Sequence, residues 1–145
     1  MKTNILLAGI LLSLMTVSCK KNESGSKSVI SESSSSETTV VDNNGKIDSV
    51  TNSSTETTVN GNQTIETSVA YKGLDGTRAK ATFSSGKSGK TLVIVSANNQ
   101  KYQLDFKSKT ADGEHYERNG VSANTKGDSL IISQGNTEIP LVKVK

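Results

Sequence analysis

"AKATFSSGKSGKTLVIVSANNQKYQLDFK", residues 79–107, alternates, turns, runs apolar, turns and alternates again. In its first part Ala79, Ala81 and Phe83 fall on one face and Lys80 and Thr82 on the other; in its last part Tyr102, Leu104 and Phe106 oppose Gln103, Asp105 and Lys107. A period of two is the signature of a strand with one buried face. Between them "TLVIVS" is β-branched and apolar on both faces, which predicts a strand covered on each side. "SSGKSGK" and "ANNQK" carry the Gly, Asn and Ser that tight turns need. Three consecutive strands joined by short turns make the chain all-β.

One alternative reading of this stretch fails on its own terms. Gly89, Lys90 and Thr91 match the end of a phosphate-binding loop, but that pattern requires a glycine where the chain has Ser84. It also requires a helix N-terminus to aim amides at phosphate, whereas "LVIV", directly after Thr91, is a strand pattern. A glycine-rich hairpin turn is the reading that fits.

The same chemistry continues to the C-terminus. "SLIIS" is another short apolar run, and "LDGT", "ADGE", "ERNG", "TKGDS" and "QGNTE" are turns. Residues 69–145 hold all three tyrosines and both phenylalanines, so this is where a core is expected. Seven or eight short strands at this spacing predict an antiparallel barrel or sandwich, and no helix of consequence. At about 75 residues the domain is small, and closing the sheet into a β-barrel would remove the edges that otherwise pair with other chains. Pro140 lacks a ladder donor, so the last strand is expected to be an edge or to begin near it.

Upstream the composition changes. Residues 20–68 have no aromatic residue and long runs of Ser, Thr, Asn and Gly. Such a segment is expected to be a disordered tether, because it cannot bury enough apolar surface to offset its ordering entropy. It carries a weak echo, "SETTV" at 36–40, "TETTV" at 55–59 and "IETSV" at 65–69, whose alternating Thr and Val are compatible with strands but too few for a repeat architecture. A flexible chain of about 48 residues has a root-mean-square reach of roughly 35–40 Å. The tether is acidic, with four Lys/Arg against seven Asp/Glu, and the domain basic, with twelve against seven. Asp48-Ser49-Val50 also resembles a short bacterial O-glycosylation sequon, at the level of chance.

Residues 1–18 read as a signal peptide: Lys2, an apolar run from Ile5 to Val17 too short to span a bilayer, then Ser18 before the single cysteine. One cysteine cannot close an intramolecular disulfide. Cys19 resembles the lipobox cysteine of bacterial lipoproteins, with Thr16 where Leu is usual. That resemblance implies an acylated N-terminus, since more than one acyl chain holds a protein stably at a bilayer. The implied location is the cell envelope, on a bacterial membrane, the outer one by expectation, with the domain in the periplasm or at the surface.

The stretch "TADGEHYERNGVSANTKGD", residues 110–128, holds the only histidine. His115 with Asp112 and Glu114 supplies too few ligands for a metal, and no second histidine exists to join them. No serine stands in a visible activating context for nucleophilic catalysis. A net charge of +5 spread over residues 69–145 lacks the clustered basic stripe of nucleic-acid binding. No catalytic residue, metal or cofactor is therefore expected.

This stretch resembles the hallmark region of the MliC/PliC family of lipoprotein and periplasmic inhibitors of c-type lysozyme. The matching pieces are Asp112-Gly113-Glu114-His115-Tyr116 and Lys126-Gly127-Asp128, with the 81–106 strand succession upstream. The resemblance covers about Tyr71 to Val144 and implies an eight-stranded antiparallel barrel that inserts two loops into the lysozyme cleft. Lys126 would take the role of the family's inserting lysine, Gly113 and Tyr116 would shape the loop, and Asp112 and Gly127 complete the implied lysozyme-binding set. Three features differ. Asp112 replaces a serine, the family's disulfide cysteines are absent, and Asn124 stands near the lysine where an aromatic is usual. The alternative expectation keeps the barrel as a non-enzymatic envelope binding module with another ligand, a glycan or a different muramidase.

Overall fold

The computed structural model describes residues 29–43 and 46–145, so the signal peptide and Cys19 lie outside the described residues. Ten strands and no helix are found among them: β1 (Ile30–Asn43), β2 (Lys46–Val59), β3 (Asn62–Gly73), β4 (Arg78–Gly86), β5 (Gly89–Ser96), β6 (Lys101–Lys109), β7 (Glu114–Arg118), β8 (Val121–Lys126), β9 (Ser129–Gln134) and β10 (Thr137–Lys143). Strands β3 to β10 form a closed antiparallel barrel of eight. Each pairs with the next in sequence, and β3 closes the ring by pairing with both β4 and β10.

The turns follow from local chemistry. Asn60-Gly61 and Asn119-Gly120 each have positive φ at both positions, 49° and 77°, then 53° and 75°. That is the backbone a two-residue type I′ hairpin demands, and Asn-Gly is the pair that adopts it most readily. "SSGKSGK" is the β4–β5 hairpin turn, with Gly86 opposite Gly89.

The inward positions are those the alternation predicts. Ala79, Ala81, Leu92, Ile94 and Leu104 are buried, together with Tyr71, Tyr116, Ala123, Leu130, Ile132 and Leu141, while Phe83, Tyr102, Phe106 and Ile139 pack against them. The outer faces of β5 and β9 are only half-covered at Val93, Val95 and Ile131, less than the full cover expected for the apolar runs. A register shift between Phe106 and Ser108 lets β6 keep its apolar residues inward while it meets β7.

Three expectations are corrected. Residues 30–43 and 46–68, expected to be a disordered tether, are strands: β1 and β2 form a hairpin of 14 residues a side, and β2 joins β3 through the Asn60-Gly61 turn. Thr and Val favour a pleated backbone, and a preformed sheet edge satisfies their backbone groups without any aromatic core. The barrel accordingly begins at Asn62 and not at Val69. Lastly, β10 is not an edge strand; it lies between β9 and β3, although its pairing with β3 starts only at Leu141, directly after Pro140.

At that point the sheet forks. Strand β3 pairs with β2 through Ser68 and with β10 from Tyr71 onward, leaving Val69 and Ala70 between the two partners. The Ala70 N–H donates to Asn52 Oδ1 at 2.9 Å, and the Ala70 carbonyl accepts from Val144 N at 2.9 Å. Displaced by β10, the upper part of β2 lies over the outer wall of the barrel, where Val50 is buried and shares a pocket with Ala70, Lys80 and Val95.

Candidate functional site

An up-and-down barrel sends alternate turns to opposite ends. The β4–β5, β6–β7 and β8–β9 turns, at residues 87–88, 110–113 and 127–128, therefore share one end, here termed the loop end. The other end carries the β3–β4, β5–β6, β7–β8 and β9–β10 turns.

The two loops singled out in the sequence touch at the loop end. Gly113 lies so close to β8 that a Cβ built on it would sit 1.8 Å from the Thr125 carbonyl oxygen. Only glycine permits that approach. The contact is tied by Glu114 N donating to Thr125 Oγ1 at 2.8 Å, and the β6–β7 loop is closed by Thr110 N donating to the Gly113 carbonyl at 3.0 Å. Gly127, with φ +54°, makes the β8–β9 turn.

Beneath the loops the barrel is sealed by aromatic rings. Tyr116 is buried, and Phe83 and Phe106 meet it edge-on with centroids 6.1 Å and 5.8 Å away. Its hydroxyl donates to Glu114, which also accepts from Lys90, and the Lys90 ammonium lies 5.4 Å from the centre of the Phe106 ring. Burial pushes the Glu114 carboxyl up, but the hydrogen bonds from Lys90 and Tyr116 outweigh this and hold it below the usual carboxylate range. Burial, reinforced by the bond to Glu114, pushes the Tyr116 phenol well above its ordinary value. Tyr116 thus anchors the loop from inside and is not itself a contact surface.

No family model, curated protein or solved structure matches the chain.

The groups that project from this end are polar and charged. Lys126 Nζ lies 2.9 Å from Asp112 Oδ2, with side chains 71% and 51% exposed, so the pair is screened by solvent and open to exchange. The hydrogen bond to Asp112 holds the Lys126 ammonium above its ordinary value, so it stays charged. Lys87 and Lys109 stand on the same end, adding positive charge to that of Lys90 and Lys126. His115 points outward from β7, its Nδ1 2.8 Å from Asn124 Oδ1 and its Nε2 3.6 Å from Glu117. It is a strand-face residue half-covered by its neighbours. Ser49 of the sequon-like triplet is exposed, whereas Val50 is buried.

The sequence reading found the two loops and the projecting lysine. It missed Lys90, Glu114 and Thr125, which hold those loops in place. The signal for Lys90 and Glu114 was present, since both occupy inward positions at strand ends where a charge needs a partner. Nothing in the sequence indicated that Thr125 would be Gly113's neighbour.

Proposed function

We propose that the loop end inhibits c-type lysozyme, with the chain held at a bacterial membrane by lipid on Cys19 and without chemistry of its own. The observation that carries this reading is the position of Lys126: an ammonium at the tip of one loop, exposed, and braced through Thr125 and Gly113 against the second loop. A retaining glycosidase presents two carboxyl groups about 5–5.5 Å apart in its cleft. An ammonium delivered there by a rigid turn exchanges its solvent-exposed partner Asp112 for a shielded carboxylate, where a charge-assisted bond is far stronger. The neighbouring Lys87 and Lys109 favour the same acidic target.

Asp112 also supports a second reading, in which the same loop end takes a different muramidase or an envelope glycan. An aspartate beside Lys126 already neutralises it in the free protein.

The test is a cell-wall lysis assay with c-type lysozyme and the full chain. Wild type is expected to inhibit at micromolar concentration, Lys126→Ala to lose at least tenfold in potency, and Asp112→Ser to gain. Equal inhibition by Lys126→Ala and wild type would exclude insertion of the lysine. No inhibition by wild type together with a gain in Asp112→Ser would favour the second reading.

A further inference from the structure

The barrel interior is filled unevenly along its axis. At the loop end three aromatic rings and an ion pair close it; toward the other end the inward positions are mostly small or aliphatic, with Tyr102 the one aromatic in the lining of the opening. Ala79, Ile132 and Leu141 form the floor of a cavity of about 330 Å³ that opens at that end, and Tyr102 and Ile139 form its walls. An eight-stranded barrel is just wide enough either to be filled by side chains or to hold one small ligand, and the small side chain of Ala79 leaves the second option open. The volume lies within the range of small-molecule sites.

The lining specifies the chemistry. No Asp, Glu, Lys or Arg contributes to it. The rim is neutral and polar: Asn98 Oδ1 accepts from Ser96 Oγ and from Gln100 N, which fixes its side chain at the mouth. The Tyr102 hydroxyl makes no hydrogen bond among the described residues. An apolar floor with a neutral hydrogen-bonding rim and no countercharge fits an uncharged amphiphile, chain inward and head at the rim.

We propose that this mouth is a second binding site, distinct from the loop end, for a neutral molecule carrying a single medium-length aliphatic chain. The site requires nothing from the loop end and stands whether or not lysozyme is the loop end's partner.

The experiment is calorimetric titration of the full chain carrying Cys19→Ser, so that no acyl group of its own competes, with hexanol, octanol and decanol. Affinity is expected to rise about fourfold per methylene, the ratio that corresponds to about 0.8 kcal/mol per buried CH₂, until the cavity is filled. Octanoate and octylammonium are expected to bind at least tenfold more weakly than octanol, because the lining offers neither a countercharge. Ala79→Leu fills the floor and should abolish binding; Ile139→Asp, at the half-buried wall, places a charge beside the chain and should weaken binding at least tenfold, with an unchanged β-sheet circular dichroism spectrum showing that the barrel still folds.

Absence of saturable binding, affinity independent of chain length, or equal binding by Ile139→Asp would overturn the proposal. So would self-association of the protein that is lost in Leu74→Ser and indifferent to octanol. Leu74 is 95% exposed in the β3–β4 turn at this end, and that result would make a second copy's leucine the occupant.

Discussion

Gly113 and Gly127 are both glycines of the loop end, for different reasons, and the difference is measurable. At Gly113 the obstacle is steric: an added Cβ meets the Thr125 backbone, which cannot move without parting β7 from β8. Gly113→Ala is expected to cost about 3 kcal/mol in denaturant unfolding, at the upper end of the usual range for overpacking. At Gly127 nothing lies within 4 Å of the added carbon, so only the left-handed backbone is at stake, and Gly127→Ala should cost about 1–2 kcal/mol. Equal costs would contradict the close approach. Glu114 supplies a second test at this scale. Its folded-state pKa lies below the ordinary 4.5, so its contribution is complete above that value and is lost as pH falls through the lowered one. Asp105, held low first by its hydrogen bond from Arg118, has the same sign. Melting temperature should therefore fall steeply below about pH 4.5, and Glu114→Gln should flatten part of that fall; an unchanged profile would mean that Glu114 does not brace the loop end. Of these side chains the sequence exposed Gly113 and Lys126 as loop residues. The Gly113–Thr125 contact was hidden because it depends on the pairing register of β7 with β8, which no local pattern records.

The β1–β2 hairpin is held to the barrel by pairing along β3, by Val50 against the outer wall and by Asn52 at the fork. Asn52→Ala leaves the Ala70 N–H without its acceptor and is expected to cost about 1 kcal/mol, with faster hydrogen exchange confined to Ala70 and its neighbours. The barrel does not need the hairpin to close its own ring, so residues 60–145 should fold with the same β3-to-β10 exchange protection as the full chain. Loss of that protection on truncation would make the hairpin part of the barrel's folding unit. The three strands of residues 79–107 were legible because apolar patterning and turn chemistry agree there on where each strand begins and ends, although the outer face of β5 is less covered than its apolar run suggested. The hairpin was not, because its strands are polar on both faces and draw their stability from a neighbouring edge. One local cue was available: Asn60-Gly61 between "TETTV" and "NQTIE" is the dipeptide that most strongly signals a short hairpin. Composition outweighed it.

Across the whole molecule, the two ends of the barrel differ in kind. One is plugged by Phe83, Phe106 and Tyr116 and presents lysines on braced turns; the other is open, neutral and apolar inside. The basic charge of the C-terminal part could be read from the sequence, but which lysines share the loop end could not, because that follows from which turns share an end. The central claim is that the loop end is the protein-recognition surface. Its most direct measurement is a map of backbone amide shifts in the full chain as c-type lysozyme is titrated in. Saturable changes are expected at residues 110–114 and 125–128, with the β1–β2 hairpin and the open mouth unaffected. Changes centred on the hairpin or the mouth, or none at millimolar lysozyme, would contradict the claim.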